Sequence, residues 1–143
     1  LAAHGLKVER ASAQEACARA DIIVTATPAK APLFEADWIR PGTHISCMGA
    51  DGVGKQELPT GLYGRSQLFC DLAAQSVVIG EFQHAAALIQ AGTVALTQIG
   101  SVLSGQALGR QDDQAITIFD SSGIALQDLY IADRLLSACP ISG

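Results

Sequence analysis

The residues best placed to do chemistry fall in four short groups, each directly after an apolar run: Thr25-Ala26-Thr27-Pro28, Gly49-Ala50-Asp51-Gly52, Asp71, and Asp120-Ser121-Ser122-Gly123. Asp51 is a lone carboxylate flanked by glycine and alanine, the form a general acid or base takes where substrate must approach closely. Ala26 has almost no side chain, as suits a backbone against which a flat ligand lies. Ser121-Ser122-Gly123 precedes a helical pattern, so N–H groups there could hold a phosphate or carboxylate. Each group also has a plainer reading. Thr25 to Pro28 can be a strand exit, Gly49 to Gly54 a turn, Asp71 a strand-end residue, and Ser121 or Ser122 an N-cap. Asp128 and Asp133 read as a solvated helix face, with Asp128 near enough to the helix start to face the same edge.

The elements that must position these groups alternate between β-branched runs and helical patterns, the signature of βα units and a mainly parallel sheet. Ser12 with Glu15 three residues later forms a capping box that opens a helix to about Ala20. Asp21 to Ala26 then reads as a strand buried on both faces. A helical turn near Glu35 to Ile39 and the Pro41-Gly42 turn lead to a strand over Thr43 to Met48. A brief helix at Thr60 to Arg65 precedes a strand over Gln67 to Asp71. Apolar spacing predicts helices over Ala73 to Gln90 and Thr97 to Leu103, a polar loop over Gly105 to Asp113, a strand over Ala115 to Phe119 and a helix from Ser122 to Ala138. The fold expected is α/β, an incomplete Rossmann-like sheet flanked by helices. It forms a single domain over 1–143, with residues 1–72 as the second half of the sheet, 73–109 as a helical segment, and 110–143 as a returning strand and final helix. In an open sheet of this kind, ligands bind at the carboxyl ends of the strands, where all four groups lie.

Composition narrows the function classes. The 143 residues are 49% hydrophobic and 16% charged, and nine Lys and Arg against fourteen Asp and Glu give a net charge of −5. The basic residues are scattered singly, which argues against a nucleic-acid surface. Apolar stretches such as Ala85 to Ile89 end far short of the roughly eighteen residues a membrane span needs. Cys17, Cys47, Cys70 and Cys139 form no C-x-x-C pair and read as reduced, buried thiols of a cytoplasmic protein. His4, His44 and His84 share no ligand spacing, read as structural, and leave metal ligation without support. Trp38 reads as core or interface. The chain opens at Leu1 with neither Met nor leader, as a chain that starts in the middle of something.

Taken in order, Ala20-Asp21-Ile22-Ile23-Val24-Thr25-Ala26-Thr27-Pro28, Pro41-Gly42-Thr43-His44-Ile45, Gly49-Ala50-Asp51 with Gly54-Lys55-Gln56-Glu57-Leu58, and Phe119 to Asp128 resemble the ornithine cyclodeaminase and mu-crystallin family. Asp71, Gly80-Glu81 and Gly92 fall between them at matching spacing. The resemblance implies NAD or NADP as cofactor, amino or imino acids as substrates, and a dimeric assembly. It implies Asp51 as the catalytic aspartate, Thr25, Ala26 and Thr27 as the strand end in contact with the cofactor, and Ser122 and Gly123 as the approach to nicotinamide and substrate. Val53 stands where many relatives have proline.

The family's glycine-rich pyrophosphate turn and its basic substrate clamp precede the stretch where this sequence begins. Gly49-x-x-Gly52-x-Gly54 does not replace the turn, because its spacing and context differ from the dinucleotide fingerprint. The expectation is therefore a carboxyl-terminal part of such a protein, inactive alone. A non-catalytic oligomerisation or small-ligand module of mu-crystallin type is the alternative.

Overall fold

The computed structural model describes Gly5 and residues 7–139; His4 lies outside them. Five strands form one sheet: β1 (Ile22–Thr25), β2 (His44–Cys47), β3 (Ser66–Cys70), β4 (Leu96–Gln98) and β5 (Ile116–Asp120). Their spatial order is β1-β2-β5-β3-β4, and every pairing is parallel. All carboxyl ends therefore share one rim. The register sets Thr25 opposite Cys47, Cys47 opposite Asp120, and Asp120 opposite Cys70, so these four residues form a lateral row just below that rim.

Because side chains alternate across a strand, this row shares a face with Ile45, Leu68 and Ile118, which are fully or almost fully buried. That face carries the core, which also takes in Cys17, Leu58, Leu62, Tyr63 and Phe82. Tyr63 and Phe82 meet edge to face, with ring centroids 6.0 Å apart. The helices are α1 (Ala13–Arg19), α2 (Ala73–Ser76), α3 (Ala86–Gln90), α4 (Ile99–Leu103) and α5 (Ala125–Ala138), with 3-10 turns at Ala36–Trp38, Thr60–Arg65 and Glu81–Ala85. The capping box of α1 forms as expected: Glu15 N donates to Ser12 Oγ at 3.2 Å, and Ser12 N to Glu15 Oε2 at 2.9 Å. No described helix is long and apolar enough to cross a membrane.

Four expectations need correction. β1 is not buried on both faces: it lies at the sheet edge, and Ile22 and Val24 on its second face are 66% and 64% exposed. The continuous helix expected over Ala73 to Gln90 is broken by Gly80, whose backbone is extended; a Cβ there would overlap Asp120 Oδ2 and lie 2.8 Å from Ser76 Cα. The helix expected from Thr97 begins instead at Ile99, because Leu96–Gln98 pairs with β3 as a strand. Cys139 is exposed, while Cys17, Cys47 and Cys70 are free and buried.

Candidate functional site

The rim is assembled around Glu57, which is fully buried. Its Oε2 accepts from Thr25 Oγ1 at 2.7 Å and from Gly49 N at 3.0 Å, and its Oε1 accepts from Thr27 N at 2.7 Å and Thr27 Oγ1 at 2.9 Å. One carboxylate thus ties the exit of β1 to the exit of β2. Those exits also touch directly, since a Cβ on Gly49 would lie 2.5 Å from Thr27 N and 2.6 Å from Glu57 Oε1. Ala26, between the two threonines, remains exposed at the edge.

Asp51 stands two residues beyond Gly49, open to solvent, and pairs with Lys55 four residues on. The hydrogen bond and charge of Lys55 hold the Asp51 carboxyl below the usual aspartate range, so it is a ready carboxylate. Gln83 fixes the loop beneath it: Oε1 accepts from Gly54 N at 2.8 Å, and Nε2 donates to Gly80 O at 2.9 Å and Gly52 O at 3.2 Å. His84 Nε2 lies 2.8 Å from Lys55 O, in keeping with a structural role.

A second buried carboxylate supports the first. Glu81 accepts from Glu57 N at 2.9 Å, Leu58 N at 2.8 Å and Tyr63 Oη at 2.9 Å. Burial pushes its carboxyl up, against the pull of these donors. Asp120, at the end of β5, accepts from Ser76 Oγ through Oδ2, while Oδ1 is buried without a partner. Burial raises Asp120 to about 6, opposed by Ser76 and the Glu81 backbone and reinforced by the charges of Asp71 and Glu81.

At the third exit, Asp71 Oδ1 accepts from Ser122 Oγ at 3.1 Å, and Oδ2 from Gly123 N at 3.1 Å. Gln75 Nε2 donates to Gly123 O at 2.6 Å and Ser122 O at 3.1 Å. The helix-capping expectation for Ser121 and Ser122 fails for this reason. Helix α5 starts later, at Ala125, with Ile124 as N-cap and no side-chain cap. Ser122 is buried against Asp71, whereas Gly123 is exposed with φ +83°. Asp128 sits exposed in the first turn of α5.

The structure therefore gathers Thr25, Ala26, Thr27, Asp51, Ser122 and Gly123 on the exits of three neighbouring strands, β1, β2 and β5. Sequence reasoning left Glu57, Glu81 and Gln83 without roles, and took Asp120 only as a member of the Asp120-Ser121-Ser122-Gly123 group. For Glu81 and Asp120 the one signal available was an acidic residue following an apolar run, where burial without partners is costly.

A wholly parallel sheet flanked by helices, with its polar exits on one rim, defines a Rossmann-like α/β domain. The sequence profile of the ornithine cyclodeaminase/mu-crystallin family matches residues 2–137, and the chain belongs to that family. It is 40% identical over 132 residues to the alanine dehydrogenase of Archaeoglobus fulgidus, covering 90% of this chain and 40% of that protein. The iminosuccinate reductase of Paracoccus denitrificans, solved in complex with NAD+, aligns with TM-score 0.86 at 40% identity, covering 95% of this chain and 42% of its own. An archaeal alanine dehydrogenase dimer with bound NAD aligns with TM-score 0.84 at 38% identity, covering 92% and 41%. The chain thus spans about two fifths of the length of these relatives.

Proposed function

We propose that this chain carries the nicotinamide side of an NAD- or NADP-binding domain whose reaction moves a hydride to or from an amino or imino acid. The observation behind this reading is the joined rim: Glu57 holds the exits of β1 and β2 together, and Asp51 stands ionised directly beyond. Its relatives include proteins solved with NAD. The rim suits a flat ring, since Ala26 is exposed and a Cβ on Gly123 would meet nothing within 4 Å.

When bound, the nicotinamide supplies hydride acceptance and return. The residues of the chain do the rest. The backbone of Thr25, Ala26 and Thr27 lines one edge of the ring site, and the segment at Ser122 and Gly123 lines the other. The Asp51 carboxylate takes a proton from the substrate amine or a water, and Lys55 keeps it ionised between turnovers. No glycine-rich dinucleotide turn occurs in these 143 residues, so they turn over no substrate by themselves. Residues 1–143 act as one unit, with 1–72 and 110–143 building the rim and 73–109 bracing it. The unit works as a homodimer, and its three buried free thiols suit a cytoplasmic setting.

Saturation-transfer NMR with NAD+, NADH and NADP+ tests the reading. Stronger transfer to nicotinamide protons than to adenine protons is expected, and no transfer from any of the three overturns the cofactor assignment. Turnover of imino acids or ornithine by this chain alone would overturn its inactivity. The exposed apolar side of α5 favours a second reading, a non-catalytic oligomerisation or small-ligand module of mu-crystallin type. Oligomers that bind no nucleotide are its signature.

A further inference from the structure

We propose that Glu57 is the positioning residue that sets the distance between the cofactor edge at Thr25–Thr27 and the carboxylate of Asp51; the proposal rests on the reading of that edge as a nicotinamide seat. A carboxylate offers about four acceptor positions, and Glu57 uses all four on donors from the two exits: Thr25 Oγ1, Gly49 N, Thr27 N and Thr27 Oγ1. A carboxylate serving stability alone has no need to divide its oxygens between the strand that would bear the cofactor and the loop that bears the acid. Gly49 brings the two exits into contact at the same point, and nothing larger fits there.

Glu57 is itself immobilised. Its amide and that of Leu58 donate to Glu81, Gln56 N donates to Ala29 O at 3.0 Å, and Leu33 N donates to Glu57 O at 2.8 Å. The far end of the Asp51 loop is pinned at Gly52 and Gly54 by Gln83. With both ends of the loop fixed, the Glu57 contact to Gly49 governs where Asp51 sits relative to Ala26.

The test compares Glu57→Gln with Leu58→Ala in the whole chain. Gln keeps the volume but turns one acceptor oxygen into a donor facing two donors. Leu58 is fully buried, and its aliphatic side chain makes none of the four hydrogen bonds to Glu57, so its truncation lowers stability while leaving the carboxylate, its donors and the Leu58 amide in place. In E57Q, amide exchange at Thr27 and Gly49 is expected to quicken tenfold or more while Ile45 and Ile118 are unchanged, and NAD+ affinity is expected to fall about tenfold. L58A lowers the melting temperature yet keeps NAD+ affinity and Thr27 exchange. Thr27→Ala, which removes one donor, gives a smaller loss of the same sign and carries the test if E57Q does not fold. The proposal is overturned if the unsubstituted chain binds NAD+ and E57Q and T27A bind it equally well, or if affinity in E57Q and L58A simply tracks stability. No nucleotide binding by the unsubstituted chain is a different result, which overturns the cofactor reading itself.

Discussion

The Asp71 carboxylate, at the exit of β3, accepts from Ser122 Oγ at 3.1 Å across the exit of the neighbouring strand β5. With Gly123 N at 3.1 Å on its other oxygen, Asp71 holds the Ser121-Ser122-Gly123 segment at the rim ahead of α5, without capping the helix itself. The positive φ of Gly123 belongs to that segment, a conformation in which glycine carries no steric cost.

Asp71→Ala removes three close acceptor contacts: Leu72 N at 2.7 Å, Ser122 Oγ and Gly123 N. Hydrogen bonds to a charged group contribute roughly 1.5–3 kcal/mol each, net of water, and three on one carboxylate do not simply add, so a loss of at least about 2–3 kcal/mol is expected in urea unfolding. Amide exchange at Gly123 should quicken well beyond that global change. An intact Gly123 amide in the variant would show that Asp71 does not hold the segment.

The buried Asp120 makes stability depend on pH. Its carboxyl is raised from 3.8 to about 6, so the folded chain holds this proton more tightly than the unfolded chain does. The stabilising contribution is full below about pH 4 and is lost as pH rises through about 6, a change on the order of 2–3 kcal/mol. Asp120→Asn stays neutral throughout. Relative to the unsubstituted chain it should gain stability from pH 4.5 to pH 7.5, leaving the slope owed to Glu81, which burial also raises. Parallel unfolding curves for the two proteins across this range would contradict the assignment.

β5 was legible because burial on both faces of a parallel sheet writes a near-continuous apolar run, whereas β1 wrote the same kind of run in Ile22-Ile23-Val24 while lying at the exposed sheet edge. β4 was not, since three residues ending in Thr97-Gln98 show no period. The break at Gly80 was hidden for a different reason: its cause is Asp120, far along the chain, and local apolar spacing continues across it. Asp51, Thr25–Thr27 and Ser122-Gly123 stood out as polar groups after strands. Glu57 did not, because its partners Thr25, Thr27 and Gly49 lie 32, 30 and 8 residues away, and only the folded sheet brings them together. Ser122 shows the opposite limit, where a local capping rule was outcompeted by the tertiary partner Asp71.

Lys55 is the group that keeps Asp51 ionised, through its hydrogen bond first and its charge second. Lys55→Met preserves much of the side-chain volume and removes both effects, so the Asp51 pKa should rise toward the ordinary aspartate value. Carboxyl-detected NMR titration of the two proteins reads this directly. Because Asp51 is exposed, global stability should be nearly unchanged, as for other surface ion pairs. An unchanged Asp51 titration in K55M would mean that the pair is not maintained in solution.

Helix α5 presents Leu126, Leu129, Tyr130, Ile131, Leu135 and Leu136, each 57–70% exposed, and none of its residues is buried. A lone helix of fourteen residues is marginal in water, and most helical stability comes from packing an apolar face. These apolar residues at three- and four-residue spacing therefore supply a strong drive toward a partner. A second copy is the simplest one, since it brings the same stripe and lets two-fold symmetry bury both. Sedimentation at about 50 µM, a concentration that populates interfaces of ordinary affinity, should show a dimer. Leu129→Glu with Leu136→Glu should shift it to monomer and lower the helical signal. A monomer at that concentration with α5 fully helical would mean the helix stands without a partner, and the homodimer would have to be abandoned.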